Sequence, residues 1–543
     1  MSHRNLLAMM IVPVVIALML AASIVTAQAT DPISLSLIQP PGDSLAAPAL
    51  GANGAYTVYV PLVSRSTAAA VTPAPTAKPT STAKATSTST PTQTGTPRTA
   101  TPTATRTATP TPTQTTTPPT PPGTEGALFL NRTNKTDSAS IAVDAAGGIH
   151  LAYAAYEHVG GQRPAYYAYC APTVDCGIGS NWVTVSLSDD VEEVQLALTK
   201  AGHPRLLLRG DEPTAPFDTL FQYAACDVNC TDLANWTGVN LATSTYSLVY
   251  LKDYPRHYFA LDNQDRPRFL YRKTIDDAYY AYCDTGDCST TGTWSQYLID
   301  PLIFSDPTNL PNLTFTSADQ PRISALINTG PPDFKRVLMY IMCDSSCDNF
   351  DSWTGVPLME AGSGHTSSVL RFNSSGQPRM IFNQGSINSE PGFLYYLWCN
   401  GGCNDRANWD ASVTGMGAGL AEDPDLALDA QGRPRIAFRI TSPGGLFFGF
   451  CQANCESQTA FWQGDISERD SLLDSEWVIL PWEGCSPTAS YWYGGKRPSL
   501  ALDPAGNPRI GYVAEHLVQA YESGGCASFE DMRAVRFVFF NKP

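Results

Sequence analysis

The chain has 543 residues, with 34 Lys and Arg against 50 Asp and Glu and a formal net charge of −16. That acidic balance excludes nucleic acid and anionic membrane surfaces as electrostatic partners. Beyond Thr124 the bias deepens to 28 basic against 48 acidic residues, a net of −20.

The first element is a leader. "MSHRN" is a short basic stretch, Leu6 to Val25 is apolar, and Ala27-Gln28-Ala29 fits a small-x-small cleavage box. Residues 1–29 therefore read as a cleaved signal peptide and the mature chain as secreted or cell-surface. A retained membrane anchor is the other reading of the same run. Residues 30–64 form a short segment in which Tyr56, Val58 and Val60 alternate, as in one isolated strand or a docking peptide. Residues 65–124 are almost wholly Thr, Pro, Ala and Ser, with too little apolar surface to offset the entropy of folding. They read as a disordered stalk, spanning roughly 45 Å as a coil or about 190 Å as polyproline II.

Residues 125–543 carry all fourteen cysteines and a repeat. "SIAVDAAGGIHLAY" (140–153) returns as "QLALTKAGHPRLLL", "YFALDNQDRPRFLY", "LTFTSADQPRISAL", "SVLRFNSSGQPRMIF", "DLALDAQGRPRIAF" and "SLALDPAGNPRIGY", seven copies in all. Each is two alternating strands about a turn rich in Asp, Asn and Gly. An aromatic strand follows ("YYAYC", "LYYLWC"), then a short cysteine loop and a fourth strand such as "NWVTVSL". Four strands repeated seven times predict an all-β fold, a seven-bladed β-propeller of four-stranded antiparallel blades. The terminal "VRFVFFN" (535–541) is the third strand of the last blade, and the N-terminal strand 127–132 is expected to supply its fourth. A single closed ring predicts a monomer.

The cysteines recur at one structural position. Cys170 goes with Cys176, Cys226 with Cys230, Cys283 with Cys288, Cys343 with Cys347, Cys399 with Cys403, and Cys451 with Cys455. In the first five pairs, a tryptophan follows the second cysteine by six residues (Trp182, Trp236, Trp294, Trp353 and Trp409). After the sixth pair Trp462 stands seven on, and "EWVILP" around Trp477 looks more like the strand. Zinc would need four converging ligands, and redox catalysis would need one special pair, so six local staples are expected, each worth about 2 kcal/mol. Cys485 and Cys526 are left to pair with each other, closing a longer loop worth about 4 kcal/mol. Residues 515–533 then form an enlarged loop.

The inter-blade loops and those between second and third strands vary in length and share one face, which places a binding site there. Candidates on that face are Glu192, Glu193, Arg256, His257, His365, Asp423, Tyr491, Trp492, Tyr493 and Arg497. "SYWYGGKR" (490–497) mixes aromatic platforms with cations, as a sugar or polyanion site does, or packs its own aromatics over the channel mouth. The Pro-Arg arginines (205, 268, 322, 379, 435 and 509, with His150 in the first copy) read as structural caps. Asp144, Asp262, Asp429 and Asp503 read as turn formers. No metal-ligand spacing, nucleophile elbow or phosphate loop is present, so no cofactor and no metal are expected.

"DLALDAQGRPRIAF" resembles the propeller repeats of the NHL and sialidase-like (BNR) groups. The sialidase resemblance implies an arginine triad, a tyrosine with a glutamate partner and an acidic proton donor. The Asp boxes of that group are replaced here by Cys-loop-Trp segments such as "CDVNCTDLANW". The overall layout looks like that of an exported bacterial surface protein. The reading is a non-catalytic binding module for a glycan or protein. The alternatives are a sialidase-like glycoside hydrolase or lyase, and a structural surface component.

Overall fold

The computed structural model describes residues 125–541, apart from 131–134, 157–162, 189–190, 213–214, 245–256, 275–276, 300–310, 330–334, 365, 388–390, 418, 443, 471–490 and 523–524. The leader, segment 30–64, the stalk, Arg256, His365, Trp477 and Cys485 lie outside the described residues.

Alternating apolar residues and turn formers divide the described residues into 28 strands in seven four-stranded antiparallel sheets. Strand β1 is Glu125–Phe129, and the first blade is β2 (Lys135–Val143), β3 (Ile149–Tyr156), β4 (Ala165–Cys170) and β5 (Trp182–Ser188). The second is β6 (Val191–Leu198), β7 (Pro204–Glu212), β8 (Ala215–Ala225) and β9 (Thr237–Ser244). The third is β10 (Phe259–Leu261), β11 (Pro267–Thr274), β12 (Asp277–Cys283) and β13 (Trp294–Ile299). Blade four comprises β14 (Asn312–Phe315), β15 (Pro321–Asn328), β16 (Arg336–Cys343) and β17 (Trp353–Ala361). Blade five comprises β18 (Ser367–Phe372), β19 (Pro378–Asn383), β20 (Leu394–Cys399) and β21 (Trp409–Val413). Blade six comprises β22 (Ala421–Leu428), β23 (Pro434–Ile440), β24 (Gly445–Cys451) and β25 (Trp462–Arg469). The seventh is β26 (Tyr491–Leu502), β27 (Pro508–Glu522) and β28 (Gly525–Phe540), with β1 beside β28 in the register Glu125↔Phe540 to Phe129↔Arg536. Pairing the two ends of the chain in one sheet closes the ring and removes its open seam.

The turn of each hairpin is built by its own side chain. Asp429 Oδ1 accepts from Gln431 N (3.0 Å) and Arg433 N (2.8 Å), and Asp144, Asp262, Asn373 and Asp503 repeat the pattern. The turn needs a left-handed residue: Gly432 supplies it at φ 76°, and Asp265 and Asp319 do so at φ 61° in blades three and four. The Pro-Arg arginine of the second strand bends across to the third. In blades two to six its Nη1 donates to the carbonyl of the first cysteine at 2.6–3.1 Å, and in blade seven to Phe540 O at 3.0 Å. These arginines are caps inside each blade.

The six local cysteine pairs are disulfides, as their spacing predicts. Cys170 is bonded to Cys176, Cys226 to Cys230 and Cys283 to Cys288. Cys343 is bonded to Cys347, Cys399 to Cys403 and Cys451 to Cys455, and in all six the Cα atoms lie 5.7–5.9 Å apart. The six-residue spacing to tryptophan has a geometric cause. The indole Nε1 of Trp182, Trp236, Trp294, Trp353 and Trp409 donates to the carbonyl of Cys176, Cys230, Cys288, Cys347 and Cys403 respectively, at 2.9–3.1 Å. The ring also meets the aromatic residue three before the first cysteine of the preceding blade. Those pairs are Tyr167–Trp236, Tyr223–Trp294, Tyr280–Trp353 and Tyr340–Trp409, with Phe537–Trp182 joining the last blade to the first, at centroid distances of 4.9–5.7 Å.

Two expectations need correction. The fourth strand of blade six begins at Trp462, which pairs with Cys451 and packs on Tyr396 at 5.3 Å. The seven-residue spacing from Cys455 costs it only the carbonyl bond, since Trp462 Nε1 is buried without a partner. Residues 515–533 are not a loop: β27 and β28 continue as a hairpin to Glu522↔Gly525, and Tyr491–Tyr493 add a third strand against Glu515–Leu517. Nine paired positions beyond Val513↔Val535 make an arm about 30 Å long. Residues 515–522 have no clean period-two alternation, and only strand formers such as Val518 and Tyr521 mark them in the sequence.

Blade one departs from the arginine cap. His150 is 4% exposed, with Nδ1 2.6 Å from Tyr167 Oη and Nε2 3.2 Å from Asp144 Oδ2. Burial lowers its pKa from 6.5 more than Asp144 raises it, so the unfolded chain binds the proton more readily. Stability should therefore fall as pH drops through 6.5. His150→Arg is expected to remove that acid-side loss, read as the thermal midpoint between pH 7.5 and 5 in wild type and variant.

Candidate functional site

The innermost strands run side by side around the channel without a ladder between them, so their outward N–H groups need other acceptors. The acceptor comes from the residue four before the turn former on the preceding blade. Leu196 N donates to Ser140 Oγ (3.0 Å), Phe259 N to Gln195 Oε1 (3.4 Å) and Leu370 N to Asn312 Oδ1 (3.1 Å). Leu500 N donates to Asp425 Oδ2 (2.7 Å) and Ile141 N to Ser499 Oγ (3.0 Å). Blade four uses the carbonyl of His257 instead, with Leu313 N at 2.7 Å, and Leu426 N turns to Asp425 Oδ1 of its own strand at 2.8 Å.

Asp425 brings an ionised carboxylate into this belt, and it gathers hydrogen-bond donors. Its Oδ1 also accepts from His257 Nε2 (2.9 Å) and Arg371 Nη2 (3.2 Å). Blades three and six are not neighbours in the ring, so the His257–Asp425 contact spans the channel. Arg371 stands where the other inner strands have Ala142, Ala197, Ala260, Thr314, Ala427 and Ala501. Burial opposes ionisation of Asp425, but His257, Arg371 and the Leu500 N–H outweigh it and hold the carboxyl below the usual carboxylate range. His257 was legible as a candidate. Arg371 and Asp425 were not singled out, although Ser140, Gln195, Asn312, Asp425 and Ser499 repeat a polar residue four before the turn former.

At the variable-loop end of the belt, Glu193, Asp423 and Arg497 occupy one level, six residues before each turn former, where the inner strands of blades two, six and seven bulge. Asp423 (φ 51°) and Arg497 (φ 50°) take the left-handed backbone there, and both are buried, with Arg497 N 3.4 Å from Asp423 Oδ2. They shape the rim. Glu192 and Glu193 belong to a polar network. Arg163 Nη1 donates to Glu192 Oε1 (2.5 Å) and Asp211 Oδ2 (3.2 Å), and Arg209 Nε donates to Glu193 Oε2 (2.9 Å). Gln195 Nε2 joins through Glu193 Oε1 at 3.1 Å.

Between blades six and seven, Arg439 Nη2 lies 3.2 Å from Asp470 Oδ2, and Asp470 Oδ1 accepts from Gly494 N at 2.6 Å. Burial nevertheless pushes the Asp470 carboxyl above its ordinary range. Beside them Glu468 takes Arg536 Nε at 2.7 Å on one oxygen and the Tyr512 hydroxyl on the other. Burial and the Glu468 charge raise the Tyr512 pKa well above that of a free phenol. Tyr491, Trp492 and Tyr493, read from sequence as a loop, are the first residues of strand β26 at the base of the arm.

The chain is thus a seven-bladed β-propeller of four-stranded antiparallel blades. No family model matches the sequence, and no curated protein matches it. Among solved structures, a protein of unknown function from Dyadobacter fermentans has 11% identity and a TM-score of 0.38, over 77% of this chain and 97% of that one. The NanB sialidase of Streptococcus pneumoniae has 11% identity and a TM-score of 0.36, over 76% and 69%. An alpha-L-arabinofuranosidase from Fusarium graminearum has 10% identity and a TM-score of 0.34, over 76% and 97%.

Proposed function

We propose that this chain is a non-catalytic binding module, secreted or displayed at the cell surface, that takes a glycan at the variable face of the propeller. The observation that carries the reading is the state of the buried carboxylates there. Asp425 is held by His257, Arg371 and two backbone N–H groups, Glu468 by Arg536 and Tyr512, and Glu193 by Arg209 and Gln195. A glycosidase needs two carboxyl groups, or a tyrosine and an acid, open to one substrate. These carboxylates are committed to the fold, while Arg163 and Asp211 stand partly exposed above them, as hydrogen-bonding groups for a polar ligand do. Disulfide-stapled loops on every complete local repeat fit an oxidising, extracellular setting.

One observation favours a second reading. Tyr512 bonded to Glu468, with Arg536 beside them, is a tyrosine–acid pair of the sort a sialidase-like enzyme uses. It is sealed between blades, and Tyr512 is 0% exposed. A glycan array probed with the full chain, run beside a fluorogenic sialoside assay, separates the two. Binding without release of fluorophore is expected. Turnover that is lost in Tyr512→Phe would overturn the binding reading.

A further inference from the structure

Arg209 is a deeply buried cation of the variable face, at 1% exposure. Its Nε is bonded to Glu193, yet Nη1 and Nη2 have no hydrogen-bond partner, and Glu192 Oε2 comes no closer to Nη1 than 3.8 Å. A fully buried guanidinium with two amino groups unmatched is costly, so these groups call for an acceptor from outside the chain. Tyr258 of the next blade faces the same guanidinium. The network rises from Arg209 through Glu192, with a side chain 10% exposed, to Arg163 at 25% and Asp211 at 45%. It therefore links the buried guanidinium to charges at the protein surface.

The charges decide what the acceptor is. Two cations, Arg163 and Arg209, stand among three carboxylates, Glu192, Glu193 and Asp211. A further anion would meet net repulsion in a poorly screened site. A neutral group that accepts from a guanidinium and donates to a carboxylate suits both. Two adjacent hydroxyls match the paired amino groups of a planar guanidinium. We infer that Arg209, flanked by Glu192 and Glu193, forms a subsite for a vicinal diol of a neutral sugar. This rests on the glycan reading above and adds the ligand class.

The test is titration calorimetry of the full chain with neutral sugars (lactose, cellotriose, mannotriose) and acidic ones (sialyllactose, trigalacturonate). A neutral sugar is expected to bind at least about tenfold more tightly than the acidic ones. Arg209→Lys keeps the charge but removes the paired donors, and should weaken that binding roughly tenfold. Should Arg209→Lys unfold, Glu192→Gln carries the test, because it removes one flanking charge nearer the surface and should narrow the neutral-over-acidic preference. A preference for acidic sugars would overturn the diol inference and leave the glycan reading standing. Unchanged neutral-sugar affinity in folded Arg209→Lys would also overturn it, since the amino groups would then hold water alone. Binding of neither panel would overturn both.

Discussion

Replacing Trp409 with alanine should lower the unfolding free energy by about 3–5 kcal/mol, among the largest effects of any single change. The indole is 4% exposed, donates to Cys403 O at 2.9 Å and lies 4.9 Å from the Tyr340 ring of the preceding blade. The side chain therefore acts at two levels. It fastens the stapled loop to its own blade and fills the joint between blades four and five. Alanine leaves a cavity and an unmatched carbonyl together, and a ring of blades cannot close over a gap at one joint without moving the others. Trp409→Phe should recover most of the packing and lose the carbonyl bond, at about 1 kcal/mol. Urea unfolding of wild type and both variants, followed by tryptophan fluorescence and far-ultraviolet circular dichroism, checks the order. An alanine variant as stable as wild type would show that the joint is not packed as described.

Asp425→Ala should destabilise by about 3–5 kcal/mol, because it leaves Arg371 and His257 facing each other across the channel with their shared anion gone. Their nitrogens are 3.4 Å apart. The variant also strands Leu500 N, which donates to Asp425 Oδ2 at 2.7 Å. Asp425→Asn keeps an oxygen for Leu500 but not the charge, and should fall between the two. Arg371→Ala in the Asp425→Ala background should return part of the loss, the mark of a coupled pair. Because the folded Asp425 carboxyl is held below its ordinary 3.8, its contribution is fully present above that value. It is lost as pH falls through the lower folded value. The gap between wild type and Asp425→Asn should therefore shrink on acidification into that range. A gap independent of pH would contradict the ionised assignment.

What the sequence disclosed and what it hid follow from how each feature is encoded. The blades were legible because every strand carries the same local pattern, "LALD" before the turn and Pro-Arg after it. The staples and their tryptophans were legible because a fixed spacing of six residues is itself the hydrogen bond from indole to cysteine carbonyl. The arm was missed because residues 515–533 were assigned by position, between two strands, and carry no clean alternation to mark them as strand. Trp462 was passed over for Trp477 because the extra residue after Cys455 breaks the spacing without moving the strand. The charged centre was the least legible. Asp425, Arg371 and His257 come from blades six, five and three, and only the closed ring brings them together. Arg209 likewise resembles an ordinary strand residue until burial shows its amino groups unmatched. Of the predicted site residues, Arg256 and His365 fall outside the described residues, and Cys485 with them.

Recognition of a neutral sugar without chemistry on it is tested most directly by recovery of the bound ligand. The full chain would be held at saturation with the tightest-binding neutral oligosaccharide for a day at neutral pH, and the sugar then released and chromatographed. A ligand recovered whole, with affinity unchanged on rebinding, is the predicted result. Shortened products accumulating in proportion to protein, or no sugar retained at all, would contradict it.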